Sequence, residues 1–428
     1  MLKLFIISLG CAKNQVDTES MMGTLLPTGF SLTDIPEAAD VLLVNTCSFI
    51  ETAREESVNS ILDLVRIKSD EQKLIVAGCL PQRYGSQLEN EIPEVDLWLD
   101  IASEESIAKK VSTWFPDQMS LVNNKLTVRL TPQHYAYLRI ADGCDHLCSF
   151  CAIPGIRGSY KSVPQNEIVR NAKQMAAQGV VELNLIAQDT SSYGRDLDKK
   201  NSLVSLLKQL CGIDKIKWIR LQYLYPASVT DELIKLIADE NKICPYFDIP
   251  LQHISDNVLC SMNRPGKKFT LSLLDKIRNY IPNAGIRTSM IVGYPNETNS
   301  EFNELNSFIS DFKFNRLGVF QYSREEDTSA FDLKDPVPEG VKAERERLIM
   351  ETQQQISFDY NNNLIGKILP VIVDSVDENN IIGRTVWDAP EVDGLVYIEK
   401  IPGINPGTIV DVKIVNADTY DLYGKLIQ

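Results

Sequence analysis

No stretch of the 428-residue chain approaches the roughly 20 apolar residues that a membrane-spanning helix requires, which excludes an integral helical membrane protein. Low-complexity runs are missing too, so no disordered arm is expected, and no internal repeat stands out. Positive charge is scarce. With 43 Lys and Arg against 58 Asp and Glu, the net charge of -15 disfavours nonspecific attraction to nucleic acid or an anionic membrane, and points to a cationic partner. An export signal is not found: Leu2 to Cys11 resembles a lipoprotein leader superficially, but its apolar part is too short. It reads as a buried strand running into a loop, and the expected location is the cytoplasm.

Nine cysteines are present, without an export signal, which argues against a disulfide framework. They serve as metal ligands or as small buried hydrophobes, and their positions decide which. The length exceeds the usual size of one core, so two or three domains are expected.

The first segment alternates strands with helical patterns: Leu4 to Leu9, Glu19 to Leu26, Val41 to Asn45, a helix around Thr52 to Ile67, and Lys73 to Ala77. This predicts a parallel α/β domain over residues 1–126. Asp117 to Thr131 has little periodicity and reads as a connection. A second series follows, with strands at Tyr135 to Ile140, Val181 to Ala187, Trp218 to Tyr223, Tyr246 to Leu251, Arg287 to Val292 and Leu317 to Tyr322. Six strand-helix units fit an open (β/α)6 barrel over 132–360, with active residues at the strands' carboxyl ends. After a charged helix around Val341 to Ser357, short strands punctuated by Gly and Pro predict a small five-stranded, OB-like β-barrel over 364–428. The fold class is thus α/β with a carboxyl-terminal β-barrel.

Cys144, Cys148 and Cys151 lie on one compact loop directly after a strand, in Gly143-Cys144-Asp145-His146-Leu147-Cys148-Ser149-Phe150-Cys151. Three thiolates around a 4Fe-4S cubane leave one iron open for a small molecule. The alternative is a structural zinc site, which wants four closed ligands, and no fourth is evident. His146 is expected to be a solvated loop residue. The run resembles the signature of the radical S-adenosylmethionine superfamily, including the aromatic Phe150. That resemblance implies an open iron chelated by S-adenosylmethionine, whose reductive cleavage yields a 5'-deoxyadenosyl radical.

Cys11, Cys47 and Cys79 each follow a predicted strand. In a parallel sheet such carboxyl ends share one edge, so a second three-thiolate site is feasible, although free cysteines are also common in cores. Leu9-Gly10-Cys11-Ala12-Lys13-Asn14-Gln15-Val16-Asp17-Thr18-Glu19, Asn45-Thr46-Cys47 and Ala77-Gly78-Cys79 resemble the amino-terminal domain of the methylthiotransferases, and the carboxyl-terminal barrel resembles that family's TRAM domain. The resemblance implies that these three cysteines hold an auxiliary 4Fe-4S cluster carrying the sulfur to be inserted.

Gln188, in Ala187-Gln188-Asp189-Thr190-Ser191-Ser192-Tyr193-Gly194, is a candidate to bind S-adenosylmethionine or substrate, although a polar strand-end loop is common in barrels. Gly293, in a run resembling the superfamily's Gly-centred motif, would let the backbone approach the cofactor. Glu297 in the same run is either a cofactor ligand or a helix-start residue facing the dipole. Cys211, Cys244 and Cys260 are expected to be core residues, and His134 and His253 have no partner pattern.

Within the methylthiotransferases, one branch modifies an adenosine of transfer RNA. The RimO-type branch modifies an aspartate β-carbon of the twelfth small-subunit ribosomal protein. Tyr322 to Thr328 and Arg384 to Gly394 resemble the second branch; Asp327 replaces its usual Gly and Ala12 its usual Pro. From Leu364 onward there are five basic and ten acidic residues, whereas an RNA module should be basic. A basic ribosomal protein is therefore the expected partner, together with an electron donor, with RNA contacted only through the ribosome and no membrane. A noncatalytic iron-sulfur RNA-binding or electron-transfer protein is the rival class.

Overall fold

The computed structural model describes residues 1–122, 125–198, 200–334 and 336–427. Positions 123 and 124 of the expected connection, and position 428 of the expected last domain, lie outside these. The first sheet is wholly parallel, in the spatial order Phe30–Leu32, Leu2–Ser8, Val41–Thr46, Lys73–Gly78, Leu97–Leu99. Val41–Thr46 is buried at every residue, as suits a central strand covered on both faces. One face packs Met21, Leu25 and Ile107; the other packs Ile61, Leu64 and Leu80.

The first helix runs over Ala12–Leu25 and so begins seven residues before the predicted Glu19. Its first half buries Lys13, Asn14, Asp17 and Thr18 rather than an apolar stripe. Apolar periodicity cannot report a helix whose buried face is polar.

All six barrel strands are present: Tyr135–Arg139, Glu182–Ile186, Trp218–Leu221, Tyr246–Asp248, Gly285–Val292 and Arg316–Gln321. They form two parallel three-stranded sheets, the first three and the last three, joined by the isolated bridge Ile219–Ile243. Among the described residues the first and sixth strands do not pair, so the barrel is open. Helices such as Asn299–Phe312 close its outside; Thr298 and Glu301 form a capping box that fixes where that one starts. The charged helix extends over Glu339–Asn362.

The carboxyl-terminal strands Ile368–Val376, Asn380–Thr385, Val396–Glu399, Leu422–Leu426 and Ile409–Ala417 close into a barrel in that order. It docks through charge. Arg384 pairs with Glu182 of the second barrel strand (2.7 Å) and with Asp374 (2.7 Å), and His134 bonds the same Asp374 (2.8 Å). Arg316 pairs with Asp388, Tyr246 donates to Asp393, and Tyr135 and Tyr137 donate to Glu391. Four of the ten acids counted from Leu364 onward are therefore engaged by the central barrel, with one of the five bases. Part of this acidity thus serves docking within the chain, and the acids not so engaged still outnumber the bases, six to four. No helix among the described residues is long and apolar enough to cross a membrane.

Candidate active site

Strand order places Cys11, Cys47 and Cys79 at the carboxyl ends of three adjacent strands. Cys11 precedes the first helix, Cys47 follows Thr46 directly, and Cys79 opens the helix Cys79–Glu91. Asn14 ties the three loops together: its Nδ2 donates to Leu9 O (3.2 Å) and Thr46 O (2.8 Å), and its Oδ1 faces the Cys79 Sγ (3.4 Å). Asn45 donates to Asn14 O, and Ser48 to Cys79 O. Gly10 has φ +88°, and a Cβ there would lie 2.8 Å from Cys47 Cβ and 3.2 Å from its Sγ. Only glycine fits that approach. A polar cavity of about 260 Å³ opens beside Cys11, lined also by Ser8, Gln15 and Glu391.

Cys144, Cys148 and Cys151 occupy the loop after the first barrel strand. Cys144 N donates to Gly158 O (3.0 Å), and Cys151 N to Cys148 O (3.1 Å). Ser149 Oγ bonds Tyr294 OH (2.7 Å), and Arg264 lies 3.6 Å from the Cys148 Sγ. Burial pushes the thiols of Cys144 up to about 11 and of Cys151 up to about 12. It also pushes Cys79 up to about 12, against the pull of Arg157. Cys11 moves the other way: enclosure raises it, but Lys13, the backbone amides after it and Arg157 together outweigh that. Thiols of this kind stay protonated near neutral pH unless a strongly bound cationic centre takes the thiolates. Two sets of three cysteines without disulfide partners, beside buried polar atoms lacking hydrogen bonds, fit iron-sulfur groups and their ligands. Among the described residues no three His, Cys, Asp or Glu side chains, the two cysteine sets included, are gathered closely enough to hold a single metal ion.

One residue that the sequence reading missed joins the two sets. Arg157 ends the short helix after Cys151, and its guanidinium bonds Asn14 Oδ1 (2.6 Å), pairs with Asp17 (2.7 Å) and Asp142 (3.3 Å), and lies 3.6 Å from the Cys79 Sγ. Cys79 also packs against Ala152 and Ile156 of the same segment. An Arg six residues after a cysteine carries no periodic signal; only the docking of the first domain gives it a role.

Gln188 Nε2 donates to Asp142 Oδ1 (2.8 Å), while its Oε1 is buried without a hydrogen-bond partner. Gly293 has φ +73°, but its missing Cβ makes room for the Lys342 side chain rather than for a ligand, because the long helix crosses there. Glu297 is buried, precedes the helix cap Thr298, and is held by Gly293 N, Arg345 (3.0 Å) and His253 (3.4 Å). Its carboxylate is committed to the chain's own groups. His146 is not solvated: it bonds Asp189 (2.7 Å) and stacks on Tyr225 at 3.6 Å. Cys244 is buried, Cys211 half-buried, and Cys260 exposed rather than in the core.

Residues 3–100 match the uncharacterized protein family UPF0004, 138–309 the radical SAM superfamily and 365–427 the TRAM domain. A Citrifermentans bemidjiense protein named ribosomal protein uS12 methylthiotransferase RimO is 44% identical over 441 residues, covering 99% of this chain and 98% of its own. The Aquifex aeolicus protein of the same name is 45% identical over 430 residues, covering 99% and 97%. The solved structure of the radical S-adenosylmethionine methyltransferase TsrM from Kitasatospora setae, with cobalamin and a 4Fe-4S cluster bound, aligns with a TM-score of 0.57 over 77% of this chain and 76% of that one. At 12% identity, that likeness is one of fold. Relatives this similar over their full length leave one conclusion: the chain belongs to the RimO family of ribosomal protein uS12 methylthiotransferases, within the radical SAM superfamily.

Proposed function

We propose that this chain adds a methylthio group to the β-carbon of an aspartate in ribosomal protein uS12, working as three units over 1–126, 132–360 and 364–428 in the cytoplasm. Cys144, Cys148 and Cys151 hold one 4Fe-4S cluster beside S-adenosylmethionine, and Cys11, Cys47 and Cys79 hold the other. When bound, these groups supply a radical able to remove hydrogen from an unactivated carbon and a sulfur to replace it. A radical route suits the target, because that C–H bond is too weakly acidic for a side-chain base near neutral pH.

The observation that supports this reading is Arg157, whose guanidinium lies 3.6 Å from the Cys79 sulfur and pairs with Asp142, two residues before Cys144, and so links the loops that carry the two cysteine sets. Gln188, kept in place by Asp142, presents its unpartnered Oε1 as a hydrogen-bond acceptor for cofactor or substrate. An external electron donor completes the reaction.

Anaerobic mass spectrometry tests the proposal. A uS12 peptide incubated with reconstituted enzyme, reductant, sulfide and S-adenosylmethionine should gain one methylthio group on aspartate, and Cys144→Ala or Cys11→Ala should abolish the gain. Deoxyadenosine formation without peptide modification would move the substrate to an adenosine of transfer RNA. Full iron content with no S-adenosylmethionine cleavage would reduce the chain to an iron-sulfur binding or electron-transfer protein.

A further inference from the structure

Lys13 lies two residues after Cys11, within the buried start of the first helix, and is only 9% exposed. Its ammonium sits over the Tyr223 ring, 3.3 Å from the centroid, where the helix meets the inner face of the barrel. Ala12 and Val16, on either side of it in sequence, pack with Tyr135, Tyr137, Ile186 and Tyr223. Among the described residues Lys13 Nζ has neither an ion pair nor a hydrogen-bond acceptor. Other charges in this region are matched. Asp248 is held by Arg287 (2.9 Å) and Tyr223 N (3.0 Å), and Arg157 by Asp17 and Asp142. Cys11 and Asp248 are the nearest anionic groups to Lys13, but neither is bonded to its ammonium, so three buried donors meet only an aromatic face, and an anion brought against them would relieve that cost.

We propose that Lys13 is the carboxylate anchor of the substrate aspartate, an anion site between the auxiliary cysteines and the barrel. The inference rests on the aspartate reading above. It also explains how a flexible side chain is aimed: the β-carbon is bonded directly to the carboxyl carbon, so fixing the carboxylate leaves the reacting atom one bond from a fixed point. A carboxylate gains a charge-assisted contact from this ammonium that the neutral ring nitrogens of an adenine match only in part, so Lys13 favours the aspartate over the adenosine alternative.

The test is peptide binding by fluorescence anisotropy to the fully loaded enzyme, using a uS12 peptide with the target Asp and its Asn counterpart. The wild type should bind the Asp peptide roughly ten- to a hundred-fold more tightly, as a charge-assisted contact implies. Lys13→Met should bind both peptides alike, at the Asn level, with wild-type iron content; Lys13→Arg should keep most of the preference. An Asp preference that survives in Lys13→Met, or that is missing in the wild type, overturns the proposal. Loss of iron from Lys13→Met also overturns it, because the ammonium would then be a counter-charge to the thiolates. If the preference holds but the Asp peptide gains no methylthio group, the anion site stands and the assigned reaction fails.

Discussion

Two positions with positive φ predict opposite outcomes for small substitutions. At Gly10 an added Cβ meets Cys47 at 2.8 Å in a left-handed backbone, so Gly10→Ala must displace a proposed cluster ligand. The expected result is a destabilisation of at least about 1 kcal/mol, with loss of the first domain's iron and retention of the iron on Cys144, Cys148 and Cys151. Iron assay and thermal unfolding check it. Asp327 has φ +61°, which accounts for the Gly usual at that position in the resembled sequences. Asp tolerates this region at some cost, so Asp327→Gly should stabilise by up to about 1 kcal/mol, read as a higher urea midpoint. Wild-type stability in Asp327→Gly would show that local contacts already compensate for the backbone.

At the scale of elements, what was legible follows from which surface each element buries. The six barrel strands and Val41–Thr46 stand out because their faces are apolar, and the cysteine positions follow from where those strands end. The start of the first helix was hidden because it buries Lys13, Asn14 and Asp17 against the barrel. The small barrel has the five strands that its Gly- and Pro-punctuated pattern predicts, Leu422–Leu426 being the last of them in sequence. Arg157, His146 and Lys13 owe their roles to Asn14, Asp189 and Tyr223 on other elements, partners that sequence spacing does not report. The two motifs that resembled one branch of the family also act in docking. Glu325 of the first pairs with Arg54 and Arg83 of the amino-terminal domain, and Asp388 of the second pairs with Arg316 of the barrel.

In the whole molecule two outer domains are therefore clamped onto the central barrel by buried charge, and acid should loosen the clamp. Glu182 is fully buried, and burial alone would raise its pKa, but Arg384 and Arg220 outweigh that and hold it below the usual carboxylate range. Asp374 is held low in the same way, by His134 and Arg384 against burial. Carboxyls whose folded pKa is depressed contribute stability that is fully present above their unfolded value, near pH 4, and lost as pH falls through the lower folded one. Docking of the carboxyl-terminal barrel should thus survive mild acid and weaken below about pH 4. Arg384→Met removes one of the two guanidinium groups paired with Glu182 and leaves Arg220 (3.0 Å), so the Glu182 pKa rises and the acid transition moves toward neutrality. Breaking a buried pair on one side costs about 3–5 kcal/mol, enough to release the barrel without unfolding its own closed sheet. Limited proteolysis across Asn363 to Lys367, followed from pH 7 down to pH 3.5, should show cleavage beginning at higher pH in Arg384→Met than in the wild type. Identical cleavage profiles would mean that the apolar contacts around Trp218, Tyr246 and Ile372 hold the barrel in place without the charges.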